Sequence, residues 1–260
     1  MSSQCNTVLQ TAELLEAILQ QLDMRTLLTS AQLVNRQWHE LITSSPALQQ
    51  ALFFMPVAGN SGPVRQNVLL AEVFPLWFRE NVKQTSDSKL KWFTQPSFKR
   101  LPMAKKSRQH TFMYPNATWR RMLVQQPPAL RLGCWERYHG MGGDSHSFHV
   151  HAFPKGIRMD SLYDVAQRWV AYTVSSFCVL WDPSVALLPG SSSYGRSMNS
   201  RRREELRTFT EKVDLLICCV MTVQCTGDSS EEGDKFAEDF TFPVKQPRDE
   251  NDEECDKIWS

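Results

Sequence analysis

The sequence predicts an α+β fold: an N-terminal module of three to four helices, then a mixed domain with a small, mostly antiparallel sheet. Three observations carry that expectation. Between residues 8 and 54 the apolar side chains recur at helical spacing. Ser147 to Phe153 alternates apolar with polar residues, and Ser176 to Trp181 and Val213 to Cys225 are rich in strand formers. Among those strand segments, Leu162, Val165, Ala166, Trp169 and Val170 make a second helical stripe.

In chain order, Thr11 is placed to cap a first helix whose stripe is Leu14, Leu15, Ile18, Leu19 and Leu22. Asp23 is a good N-cap for a short second helix carrying Met24, Leu27 and Leu28. A third helix puts Ala31, Val34, Trp38, Leu41 and Ile42 on one face. Ser45-Pro46 reads as an N-cap followed by proline at the first helical position, opening a fourth helix with Leu48, Leu52 and Phe53 inward. Pro56, Gly59, Asn60, Gly62 and Pro63 then mark a linker. The domain bounds are therefore 1–55 for the helical module, 56–67 for the linker, 68–245 for the α+β domain and 246–260 for an acidic flexible tail.

Within the larger domain, the polar, basic stretch from Lys83 to Gln109 is expected to be a long loop. Ala117 to Gln125 is expected to be a helix started by Asn116 and stopped by Pro127-Pro128. Asp160 can start the helix of the second stripe. The near-continuous apolar run inside Val213 to Cys225 reads as a strand covered on both faces and so central in its sheet. Trp135 to Ser147 and Pro189 to Asn199 read as loops around that sheet, where a partner could be held.

Composition narrows the function. The 260 residues carry a net charge of only +1, so no global field draws the chain to nucleic acid or a membrane surface. Eight Trp and fourteen Phe supply enough bulky area for a real core. The polar N-terminus lacks the pattern of a signal peptide, and no apolar run is long enough to span a bilayer, so an intracellular protein without a membrane partner is expected. The seven cysteines are odd in number and include no C-x-x-C, which argues against a disulfide framework or zinc ribbon and for small buried hydrophobes. The sequon Asn116-Ala117-Thr118 is read as chance.

The N-terminal block resembles the F-box motif. Ala12 to Leu22 is similar to its first helix, Asp23-Met24-Arg25-Thr26-Leu27-Leu28 to its middle turn, and Val34-Asn35-Arg36-Gln37-Trp38-His39-Glu40-Leu41-Ile42 to its third helix. Ser45 to Phe53 resembles the tail of many filamentous-fungal members, as do, more weakly, Leu69 to Phe78, Trp119 to Leu123 with Pro127-Pro128, and Val213 to Gln224. Where many F-boxes carry Leu-Pro, this chain has Leu9-Gln10 and Leu22-Asp23. The resemblance implies docking on a Skp-family adaptor and, through it, on a cullin scaffold. The chain would then be a non-enzymatic substrate receptor of a ubiquitin ligase, in the cytoplasm or nucleus, with no cofactor and no metal, holding a target protein that the sequence does not name. The apolar residues crowd the helices beyond what a small core needs, so a partner is expected to cover the surplus. The adaptor-binding set is Leu14, Leu15, Ile18, Leu19, Leu22, Met24, Leu27, Leu28, Val34, Leu41 and Ile42. Trp38, Leu48 and Leu52 are assigned to the module's core.

Two other chemistries have weaker motifs. His139, Asp144, His146, His149 and His151 fall within thirteen residues and are apt metal ligands, although their spacing fits no known signature. Lys89 to Arg108 interleaves basic and aromatic residues in the manner of a nucleic-acid contact. The third helix is a poor reading helix for DNA, with only Asn35, Arg36, Gln37 and His39 to offer.

Overall fold

The computed structural model describes residues 10–57, 62–78, 105–140, 143–170, 175–187 and 199–222. The expected acidic tail and the Pro189 to Met198 segment lie outside these residues, as does most of the basic stretch.

The architecture is α+β. Four short helices come first: α1 (Ala12–Leu19), α2 (Met24–Thr29), α3 (Arg36–Ser44) and α4 (Pro46–Ala51), with a 3-10 turn at Ala31–Leu33 before α3. Their starts follow from their caps. The Asp23 carboxylate accepts from Thr26 N–H, Asn35 from Trp38 N–H and Ser45 from Leu48 N–H, each satisfying a backbone donor the helix leaves open. Thr11 stands at the N-cap of α1, but its hydroxyl does not close the cap. Leu15, Leu19, Leu27, Ala31, Ile42, Leu48 and Leu52 close a core of their own.

Within the stretch whose composition marks a linker, Arg65–Gln66 form a two-residue strand, β1, that pairs antiparallel with β2 (Gln125–Gln126). The next helix, α5 (Val68–Val73), is capped by the fully buried Asn67. Asn67 accepts from Leu70 N–H and donates to the Leu123 carbonyl, so it ties the helix start to a distant segment. Lys106–Met113 form α6, where the basic stretch had read as loop throughout.

The expected helix at Ala117 to Gln125 shrinks to a 3-10 turn, Thr118–Arg121, and the chain then runs extended. Two forces override the helical propensity. Proline at 127 disfavours helical backbone at Gln126. Met122, Leu123 and Val124 also gain more from burial, with Leu123 N–H bonding the Phe53 carbonyl and Val124 N–H the Ile157 carbonyl.

The main sheet has four strands in the order β4-β3-β6-β5. These are β3 (Arg131–Gly140), β4 (Gly143–Ala152), β5 (Ser175–Leu180) and β6 (Leu215–Thr222). The β3–β4 and β5–β6 pairs are antiparallel and β3–β6 is parallel. The apolar run of β6 is central as expected, with Leu215 to Cys219 all buried. Its odd residues Leu215, Ile217 and Cys219 join Leu132, Cys134, Phe177 and Val179 under α7 (Met159–Val170), which buries Leu162, Tyr163 and Ala166 there. Its even residues Leu216 and Cys218 join Trp135 and Leu180 on the other face, against Leu206 and Phe209 of α8 (Ser200–Thr210) and a 3-10 turn at Pro183–Leu187. Helix, sheet and helix thus make three layers.

Phe74 and Trp77 complete the larger core, ringed by Phe112, Trp119, Tyr163 and Phe177 at centroid distances of 4.8–5.8 Å. The indole N–H of Trp77 donates to the Leu162 carbonyl, satisfying the one polar atom that this large side chain buries. No helix among the described residues is long and apolar enough to cross a membrane.

Candidate functional site

The helical module divides its apolar residues between inside and outside. Leu15, Leu19, Leu27 and Ile42, all assigned from sequence to adaptor contact, are at most 1% exposed and fill the module's own core. Leu22 and Leu41 pack on the rim of that core. Met24 and Leu28 are shared with the larger core, so the chain's second half already covers part of them. The reason is geometric: a helical stripe about 100° wide has an inner and an outer margin, and a small module needs its inner margin to fold. Leu48 and Leu52 are fully buried, in the core role assigned to them, and Trp38 is half-buried against the same cluster.

Leu14, Ile18 and Val34 are left outside, at 47%, 40% and 56% exposure. Leu33, which the sequence had not singled out, is 81% exposed at the end of the 3-10 turn. The available signal for it was its place next to Val34, just before the α3 cap.

Leu14 and Ile18 stand one turn apart on α1 and so share a face. The Gln37 side chain donates to the Gln10 carbonyl, which holds the start of α3, with Val34 just before it, at the N-terminal end of α1. Leu14 and Ile18 are thus exposed on α1, and Leu33 and Val34 between α2 and α3. The frame beneath them is fixed by polar bonds: Ser45 donates its hydroxyl to Glu16, linking α4 to α1, and Gln49 donates to the Ile42 carbonyl at 2.8 Å.

The module is also fastened to the rest of the chain. Gln126 donates to the carbonyls of Gln50 and Met55 at 2.8 and 3.2 Å, and Leu123 N–H reaches the Phe53 carbonyl at 2.7 Å. An exposed Arg25–Glu72 ion pair adds a contact between α2 and α5. Phe53, at φ 62°, occupies the left-handed region at this joint. The helical module is thus seated on the three-layer domain.

No family model matches this chain, nor does any curated protein or any solved structure.

The other sequence candidates fall as follows. Of Trp135 to Ser147, expected as a loop, the described residues 135–140 and 143–147 belong to β3 and β4 and pair from Trp135↔Phe148 to Gly140↔Gly143. Its glycines and charges hid two strands whose partners lie far away in sequence. The same hairpin splits the histidines. His149 and His151 share the face of Cys134 and Glu136, as period two requires, while His146 lies on the opposite face and accepts from the Trp135 indole at 3.1 Å. His149 Nε2 stands 4.0 Å from Glu136 Oε2, and Ser147 donates to that same oxygen at 3.2 Å. Among the described residues, no group of three or more His, Cys, Asp or Glu side chains converges on a point that could hold a metal ion. Of the basic stretch, the described Lys105 and Arg108 are exposed at the start of α6. Cys134, Cys178, Cys218 and Cys219 are free thiols. Burial pushes the Cys134 thiol up to about 12 and raises Cys218 and Cys219 as well, which leaves these three un-ionised and poor nucleophiles at neutral pH.

Proposed function

We propose that this chain is a substrate receptor of the F-box type: its N-terminal module docks on a Skp-family adaptor and, through it, on a cullin scaffold, while the three-layer domain holds a target protein for ubiquitination. In this role the chain is not an enzyme and works in the cytoplasm or nucleus by proximity. One observation supports the reading above the others. The module has already closed its own core, yet it keeps four large aliphatic side chains, Leu14, Ile18, Leu33 and Val34, in solvent. Exposed apolar side chains that adjoin, as Leu14 and Ile18 do on α1 and Leu33 and Val34 do along the chain, offer a surface for a partner to cover. Leu14, Ile18 and Val34 also fall within the segments that resemble the F-box motif. Completing the burial of four such exposed side chains contributes roughly 1 kcal/mol or more each, before the entropy cost of association.

The test is co-expression of the full chain with a Skp-family adaptor, followed by affinity purification. Leu14→Asp with Ile18→Asp would place two carboxylates in the interface and should abolish co-purification, because a buried unpaired charge is costly. Both positions are exposed in the free chain, so its thermal midpoint should stay within a few degrees of the parent. Undiminished capture of the adaptor by the double variant would remove this surface from the account.

A further inference from the structure

We infer that Cys178 and Cys218 form a reversible disulfide that locks the sheet of the larger domain under oxidising conditions. The two residues are direct partners across the antiparallel β5–β6 ladder. Directly opposed residues in such a ladder have Cα atoms about 4.5–5.5 Å apart. That falls within the roughly 4.4–6.8 Å that a disulfide spans.

The pairing is selective because of the pleat. Cys218 and Cys178 belong to the α8 face, with Trp135, Leu180, Leu206 and Phe209 around them. Cys134 and Cys219 belong to the α7 face. Cys219 is adjacent in sequence to Cys218 but points to the other side of the sheet and lies across from Phe177.

Accessibility sets the order of events. Cys178 is half-buried, whereas Cys218 is 3% exposed and burial raises its thiol. A low-molecular-weight disulfide such as glutathione disulfide therefore meets Cys178 first. The Cys178 thiolate attacks one sulfur of glutathione disulfide, forming a mixed disulfide and expelling one glutathione thiolate, which takes up a proton. Cys218 then loses its proton to solvent and attacks the Cys178 sulfur, expelling the second glutathione. Two protein thiols become one disulfide, and two electrons reduce one glutathione disulfide to two glutathiones. Because the Cys218 thiol is poorly ionised, the second step is the slow one, and the mixed disulfide at Cys178 should accumulate transiently.

The bond would join β5, an outer strand of the sheet among the described residues, to the central β6, closing a loop that contains the Pro183–Leu187 turn and α8. Intracellular disulfides of this kind are typically transient and responsive to redox state.

The full chain is equilibrated with glutathione buffers from fully reduced to fully oxidised, acid-quenched, and analysed for thiols and by tryptic mass mapping without reduction. Two of the seven thiols should be lost in oxidising buffer and recovered in reducing buffer. A cross-link should join peptide 169–196, which carries Cys178, to peptide 213–235. The second peptide also carries Cys219 and Cys225, so variants assign the bond. Cys219→Ala should keep the cross-link, while Cys218→Ala and Cys178→Ala should lose it. Oxidation should raise the thermal midpoint by about 5–15 °C in the parent and not in Cys178→Ala. The inference is overturned if mixed disulfide forms at Cys178 without any cross-link, if the cross-link survives Cys218→Ala, or if all seven thiols stay titratable.

Discussion

Three glycines separate backbone strain from packing strain in the larger domain. Gly156 combines both effects. Its φ is +90°, and a Cβ built there would stand 2.6 Å from Leu123 Cδ2 and 2.7 Å from Pro128 Cβ. The residue sits where the chain leaves β4 for α7: its N–H bonds the Phe153 carbonyl, and the following Ile157 N–H bonds Ala129. Alanine in a left-handed conformation costs roughly 1–2 kcal/mol. Forcing a methyl into a packed site costs about 1–3 kcal/mol more. Gly156→Ala should therefore destabilise the protein by about 2–5 kcal/mol. Gly143 has φ +105° with nothing within 4 Å of a built Cβ, so Gly143→Ala should show the backbone cost alone, about 1–2 kcal/mol. Gly133 has no positive φ, but a Cβ there would meet Phe209 Cζ at 2.9 Å and Val213 Cγ1 at 3.0 Å, where α8 and its C-terminal turn press on the sheet. Gly133→Ala should cost about 1–3 kcal/mol through packing alone. Urea unfolding followed by far-ultraviolet circular dichroism measures all three. A Gly156→Ala loss no larger than that of Gly143→Ala would show that Leu123 and Pro128 yield freely, and would refute the packing described at this joint.

Two further outcomes follow from the geometry. Asp214 accepts from the N–H groups of Leu130 and Arg131 at 2.8 and 2.9 Å and from the Arg131 guanidinium at 3.0 Å, and so pins the entry of β6 to that of β3. Partial burial pushes its carboxyl up, but these donors outweigh burial and hold it below the ordinary carboxylate value. A folded value below the unfolded one means that the stabilisation is complete above the unfolded value of about 4 and is lost as pH falls through the folded value. Asp214→Asn should thus lower stability by about 1–2 kcal/mol at pH 7, and the gap between variant and parent urea midpoints should close as the carboxylate is titrated at acid pH. Leu27, at 1% exposure, belongs to the module's core, so Leu27→Ala should cost about 2–5 kcal/mol in the same assay, while Leu14→Ala at 47% exposure should cost well under about 1 kcal/mol. Leu27→Asp is accordingly a test of folding rather than of adaptor contact.

Much of the fold was readable because local chemistry and final structure agree. Asp23 and Ser45-Pro46 announce their helices by capping chemistry and do cap them. The uninterrupted run from Leu215 to Cys219 announces a strand buried on both faces. Other elements were hidden for identifiable reasons. β3 carries Gly133, Glu136 and Arg137, so it lacks the look of a strand, and only its pairing with β4 and β6 makes it one. Helix α8 is mostly arginine and glutamate, with Leu206, Phe209 and Thr210 as its buried residues, too few to draw a stripe. In the module, helical periodicity identified the apolar side chains but not which margin of each stripe turns outward. That depends on how α1 and α3 cross and on what the Gln126 and Leu123 bonds hold against the module.

Hydrogen–deuterium exchange of the full chain, alone and with a purified Skp-family adaptor, addresses the central claim directly. Docking on the exposed patch should slow exchange in Ala12–Leu19 and in the segment from Ala31–Leu33 through the first turn of α3, and leave the β3–β6 ladder unchanged. Equal exchange in those helices with and without saturating adaptor, or protection confined to the sheet, would contradict it.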